Sequence, residues 1–364
     1  MINTAFSEEY LKRRWMEFWN RENEDRPLLS VAVPKENARR SPAPTAPNGI
    51  KERWLDTEFQ IKCARYGAEN TSYLAESFPI FNPNLGPDFL GAVCGCDLKF
   101  SNVTSWAEPC IREYDDFPDI VLDKNNPWWK KMVEITQAAV DDANGDYLVG
   151  ITDIHPGADA VVSLRGADIA AMDLYLEPEE FKKRVWQIFD VFKEVTQGLH
   201  DIISQKQKGS SNWMCLYHPE KLWYVTSCDF SYMISGEHFN EFILPELTAE
   251  SQWLPATIYH LDGIGSLTHL DTLLNIKEIN GIQWVPGSGK APAREWGEVL
   301  KKIQKAGKCI EMSCEPEDII PLCEILDPRG VHFGIGGSLD RYEAESLIKE
   351  AESVCRKKRA QFAV

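Results

Sequence analysis

Little in this chain points to a membrane, a secretory route or a nucleic acid. No run approaches the ~18 consecutive apolar residues that a spanning helix needs. The first residues, Met1 to Glu9, lack the basic stretch and apolar core of a signal peptide, which predicts a cytoplasmic protein. Positive charge is short. The chain carries 39 Lys and Arg against 56 Asp and Glu, a formal net charge of −17. Nucleic acids and anionic lipid surfaces both want clustered cations, so neither is expected as a partner. Paired cysteine motifs are missing as well. Cys94-Gly-Cys96 is not a CxxC, and no second pair stands at zinc-finger spacing. The 10 cysteines are therefore expected to be free thiols, most of them in the core. Low-complexity tracts and fixed-period repeats are absent too.

What is present suits a large folded core. Of the 364 residues 43% are hydrophobic, which excludes disorder as the main state. Residues 1–364 read as one domain, because (β/α) barrels run past ~250 residues as a single unit.

The organising stretch is Ala256-Thr-Ile-Tyr-His-Leu-Asp-Gly263. A short apolar run rich in β-branched and aromatic residues ends in His260, Asp262 and Gly263. That pattern predicts a buried strand delivering polar groups to its C-terminal end. It recurs at Gly281–Gly287, Cys309–Cys314 and Val331–Gly337, with helix-like segments between. Four earlier strands are expected at Arg26–Val33, Phe78–Asn82, Asp146–His155 and Leu222–Asp229. Eight strands alternating with helices predict a (β/α)8 TIM-type barrel. Residues 7–24 add an amphipathic N-terminal helix capped by Ser7, with Tyr10, Leu11, Trp15, Phe18 and Trp19 on one face. Lys51–Glu76, Pro127–Asn144 and Glu179–Gln205 also read as helices. Residues 34–49 and 83–127 read as long βα loops. Arg39 and Arg40 in the first loop are candidates to touch an anionic ligand, although a solvated loop explains them too.

Ligands of parallel sheets bind at the carboxyl ends of the strands. His260, Asp262 and Asp229 are accordingly the candidate catalytic residues, with His suited to acid/base work or to metal ligation. Asp153, His155, Trp284 and Tyr232 are candidates for binding substrate. Capping and turn chemistry offer competing accounts of Asp153 and Asp229. Twelve tryptophans, where they line a pocket mouth, favour a methylated cation or a methoxy-aromatic ring.

The order Cys228-Asp-Phe-Ser231, then Ser235-Gly-Glu-His-Phe-Asn-Glu-Phe-Ile-Leu-Pro245, resembles a signature of the uroporphyrinogen decarboxylase superfamily. Gln283-Trp284 resembles the Asp-Trp at the end of that family's sixth strand, and Val331–Gly337 resembles its last strand and glycine turn. The resemblance runs over about residues 145–350. It implies a (β/α)8 barrel, often a homodimer, with one of two chemistries. One is cofactor-free decarboxylation of a porphyrinogen; the other is zinc-dependent methyl transfer between a methylated substrate and a thiol or a corrinoid protein.

The chain departs from both patterns. Val33-Pro-Lys-Glu36 replaces the arginine motif with which the decarboxylases grip acidic side chains. His260-Leu-Asp-Gly263 keeps the His and Gly of the methyltransferases' His-x-Cys-Gly, with Asp at the ligand position, and Gly336-Gly337 carries no Cys. The resemblance thus implies a zinc site of His260 and Asp262, with Glu311 or Cys314 as the replacement third ligand. The leading expectation is metal-assisted methyl transfer between a small substrate and a corrinoid protein or thiol. The alternatives are metal-free decarboxylation of a small acid and a non-catalytic binding barrel.

Overall fold

The computed structural model describes residues 7–35 and 42–362. The loop positions Arg39 and Arg40 fall outside these residues. Thirteen strands run in chain order: β1 (Leu28–Pro34), β2 (Thr71–Ala75), β3 (Ile80–Phe81), β4 (Asp97–Phe100), β5 (Ser105–Glu108), β6 (Leu148–Val149), β7 (Ser210–Ser211), β8 (Tyr217–His218), β9 (Tyr224–Ser227), β10 (Thr257–Asp262), β11 (Gly281–Val285), β12 (Cys309–Cys314) and β13 (Val331–Ile335). The protein is mixed α/β. A seven-stranded sheet in the order β2-β1-β13-β12-β11-β10-β9 forms its centre. All its pairings are parallel except β1 with β2. The short strands β3 and β6 pair in parallel beside it, and β4–β5 and β7–β8 are antiparallel hairpins.

A strand lies at each of the eight expected places. One expected helix does not hold. Lys51–Glu76 divides into helices Ile50–Leu55 and Thr57–Asn70, followed by strand β2. Asp56 starts the second helix by accepting the amide of Phe59 at 2.9 Å. The edge of β1 then captures Thr71-Ser-Tyr-Leu-Ala75, where β-branched and aromatic residues fit a half-buried strand better than a helix. The loop region 83–127 holds a short helix, Phe89–Val93, and the β4–β5 hairpin.

The pleat sorts the central sheet into two faces. Tyr259, Leu261, Ile282, Trp284, Ile310, Met312, Val331 and Phe333 are buried on the helix-covered face. Each such side chain contributes roughly 1.5–3 kcal/mol of hydrophobic stabilisation. The other face is polar. His260, Gln283, Glu311 and His332 stand in register across four adjacent strands.

The helix Glu8–Asn20 closes the lower end of this polar face. Ser7 caps it, accepting the amide of Tyr10 at 3.1 Å, and Arg21 ends it in the left-handed region at φ 57°. Its apolar stripe is the expected one, with Leu11, Trp15, Phe18 and Trp19 buried. Trp15 and Phe18 pack on the ring of His332 at 5.2 and 6.3 Å between centroids. Cys309 and the β8 carbonyl of Tyr217 bond the same helix. No helix among the described residues is long and apolar enough to cross a membrane.

Candidate functional site

The carboxyl ends of β9 and β10 and the segment after β6 gather five ionisable side chains. His260 and Asp262 are two residues apart on β10 and so share its polar face. Asp229 follows β9. His155 and Asp159 come from the stretch in which the chain leaves β6 and enters the helix Gly157–Arg165.

Ligand atoms of Asp229, His260 and Asp262 all lie within 4.8 Å of one another, and so do those of His155, Asp159 and Asp229. Asp229 belongs to both groups and ties them into one cluster. Its place is set by Asp159, whose two carboxylate oxygens accept the backbone amides of Asp229 at 2.8 Å and Phe230 at 2.9 Å.

The two histidines sit in different electrostatic surroundings. His155 Nε2 lies 3.1 Å from Asp153, and its Nδ1 lies 3.6 Å from Asp159 and 3.9 Å from Asp229. Burial opposes charge on this ring, but Asp153, Asp159 and Asp229 outweigh it and hold its pKa well above the usual range. Its neighbour Asp229 is pushed up to about 6, first by burial of the carboxylate and then by Asp159, against the pull of His155 and His260. The side chain is still 48% exposed, so water screens it and the shift bears on chemistry more than on stability.

His260 Nδ1 is bonded to the carboxamide oxygen of Gln283, its register partner on β11. With the amide oriented this way the oxygen only accepts, so Nδ1 carries the hydrogen. Nε2 is then the ring nitrogen left with a lone pair. This is the arrangement by which metal-ligating histidines are oriented. One imidazole nitrogen with the carboxylates of Asp229 and Asp262 fits a divalent cation that keeps an open position. Asp159 is the poorer ligand, since both of its oxygens already serve backbone amides.

Two expected metal ligands stand elsewhere. Glu311 lies beyond Gln283 in the register, facing His332 at 3.7 Å. Cys314 belongs to the opposite pleat face. It is buried beside the helix Pro316–Ile325, and its thiol is pushed well up, by burial first and then by Asp318. The third candidate ligand beside His260 and Asp262 is instead Asp229. Trp284 is also on the helix-covered face, edge-on to Trp296 at 5.1 Å and fully buried, so it does not line the cleft. Tyr232 does border it. Its ring lies over the end of β10, where a Cβ on Gly263 or Gly265 would fall 2.9 or 2.7 Å from the ring.

Three contributors escaped the sequence reading. Asp159 sits in the first turn of a helix opened by Pro156-Gly157, a position that reads as ordinary helix polarity. Gln283 was legible only as part of a motif. Trp213, at the tip of the β7–β8 hairpin, stands between the two histidines, stacked with His155 at 6.3 Å and edge-on to His260 at 5.3 Å. Nothing local in the sequence around Trp213 aims it into the cleft. No protein-family model matches this chain, and no curated protein matches it.

Proposed function

We propose that this protein is a metal-assisted methyltransferase, moving a methyl group between a small methylated substrate and a corrinoid protein or thiol. The observation that carries the reading is the orientation of His260 by Gln283, with ligand atoms of His260, Asp229 and Asp262 all within 4.8 Å of one another. Zinc is the proposed ion, held by His260, Asp229 and Asp262. When bound it supplies Lewis acidity to the heteroatom that gives up or receives the methyl group. The chain's own residues do the rest. His155 holds a proton on Nδ1, 3.9 Å from Asp229, and this pair is placed to protonate a leaving amine or aryl oxide. Trp213 and Tyr232 present aromatic faces to the substrate, and the acidic surroundings favour a methylated amine or an aryl methyl ether over an anion.

The architecture is read here as a (β/α)8 barrel. Six of the eight expected strands are consecutive parallel neighbours in one sheet. The β3–β6 pair lies on the open side, where Ile151 bridges Asn212 and the Tyr224 hydroxyl bonds the carbonyl of Thr152 at 2.5 Å. A homodimer belongs to the same proposal.

The raised pKa of Asp229 beside a charged His155 favours a second reading, metal-free decarboxylation of a small acid. Here the imidazolium would bind the carboxylate, and Asp229 would return the proton.

Elemental analysis of the purified protein separates them. About one zinc per chain in the wild type, lost in His260→Ala and in Asp229→Asn, is expected. No metal even after zinc is supplied would overturn the methyltransferase reading and leave the decarboxylase.

A further inference from the structure

The polar face of the sheet holds a second group of reactive residue types, separated from the Asp229 cluster by Gln283. Ser30 Oγ lies 2.8 Å from Nε2 of His332, and Nδ1 of His332 lies 3.7 Å from Glu311 Oε1. These are a hydroxyl, a base and an acid in linear order, on three adjacent strands, β1, β13 and β12. We propose that Ser30 is a nucleophile activated by His332 and oriented through Glu311, forming a second reactive centre for acyl transfer from a small neutral or cationic ester.

The sheet register builds the site. Ser30 and Ser313 both pair with Gly334, one from each side. The two serines are therefore two strand spacings apart, roughly 9–10 Å. Between them Gly334 has no side chain, and a Cβ there would meet nothing nearer than 3.9 Å. The result is a slot with a hydroxyl on each flank, wide enough for a carbonyl group between them. Above it opens a cavity of ≈ 540 Å³, lined by Ser30, Ser313 and Gly334. Tyr73 and Phe78 give it an apolar wall.

Two buried atoms point to an unfinished network. Glu311 and His332 are each 3% exposed, yet among the described residues Glu311 Oε2 and His332 Nδ1 have no hydrogen-bond partner. Buried polar atoms are rarely left unpaired, and a catalytic role or a bound water or ion is among the explanations such an atom calls for. The ring of His332 is held against Trp15 and Phe18, so the base has a fixed orientation. The His332–Glu311 contact is ~0.8–1 Å longer than a charge-assisted hydrogen bond, and such catalytic contacts tighten when substrate binds.

The chemistry balances with water as the only co-reactant. Ser30 Oγ bonds to the ester carbonyl carbon as its proton passes to His332 Nε2. Glu311 faces the imidazolium, and the Ser313 hydroxyl donates to the carbonyl oxygen as it gains charge. The C–O bond to the alcohol breaks, and the alcohol leaves with the proton from Nε2. Water then adds to the acyl-serine with His332 again as base, releasing the acid and restoring Ser30. Glu315 and Asp318 line the same cavity and disfavour an anionic acyl group.

The test is covalent labelling of the full chain with a fluorophosphonate, read by peptide mass, beside hydrolysis of p-nitrophenyl acetate. One adduct per chain on Ser30 is expected, absent in Ser30→Ala. Labelling and hydrolysis should both slow at least tenfold in Glu311→Gln and in His332→Gln. Glu311→Gln keeps the volume of the side chain and decides the matter if the His332 variant fails to fold. No adduct on Ser30, or a rate unchanged in Glu311→Gln, would overturn the proposal.

Discussion

A side chain on Gly157 would collide with Glu246: a Cβ built on the glycine falls 2.6 Å from Glu246 Oε2. Gly157 also has φ +59°, a conformation that L side chains rarely adopt, so the position needs glycine on two counts. The carboxylate that occupies this space is 4% exposed, one turn from the fully buried Glu250, and neither has a cation bonded to it among the described residues.

That pair makes stability depend on pH. Burial, then Asp159, pushes Glu246 from an ordinary 4.5 up to about 8. The folded protein therefore binds this proton more tightly than the unfolded chain does. The associated stability is fully present below pH ~4.5 and is lost as pH rises through about 8. Glu246→Gln removes the ionisation. Urea midpoints should show the variant gaining on the order of 2 kcal/mol over wild type at pH 9, with little difference at pH 4.5. Equal shifts at both pH values would count against it.

The opposite sign is expected at Glu76. Its carboxylate is fully buried and bonded by Arg26 at 2.7 and 2.9 Å, by Arg14 at 3.0 Å and by the Leu29 amide at 3.0 Å. Burial alone would raise its pKa, but Arg26 and Arg14 hold it below the ordinary value. Its stabilisation is present above pH ~4.5 and is lost as pH falls through the lowered folded value. Glu76→Gln leaves two guanidinium groups without their shared anion, at a cost of about 3–5 kcal/mol in denaturant unfolding at pH 7. A loss under 1 kcal/mol would mean that water or Asp25, 2.8 Å from Arg14, takes over the pairing.

Trp213 offers an optical readout of the site. Its ring is 5.3 Å from His260, so a divalent cation bound at that imidazole should change its emission. Zinc titrated into the wild type is expected to alter tryptophan fluorescence, and Trp213→Phe should remove most of the change while the other 11 tryptophans stay. Persistence of the full signal in the variant would place the ion away from His260.

The parts legible in the sequence were those with a local cause. The stripe Leu11, Trp15, Phe18 and Trp19 defines a helix wherever it packs, because side chains at i, i+4, i+7 and i+8 share a face. Ser7 was readable as a cap and accepts the amide of Tyr10. The β-branched runs ending in His260–Asp262 and Asp229 were readable as strands with polar ends. Strand β2 was not, because Thr71–Ala75 is short and follows the helix Thr57–Asn70 without a break. It is a strand because the edge of β1 was open.

Local pattern also could not say which pleat face looks inward, or who stands beside whom across the sheet. His260 fixes its own alternation, but only the β10–β11 register puts Gln283 beside it and so turns Trp284 away. The same period-two rule turns Cys314 away and keeps Glu311 inward. Composition and periodicity determined the elements, the acidic character and the residue types available at the strand ends, because these depend on neighbours a few positions apart. The convergence of Asp159, Trp213, Asp229 and His260 joins positions up to 101 residues apart. Only the packing of the sheet brings them together, because sequence distance carries no information about strand order or register.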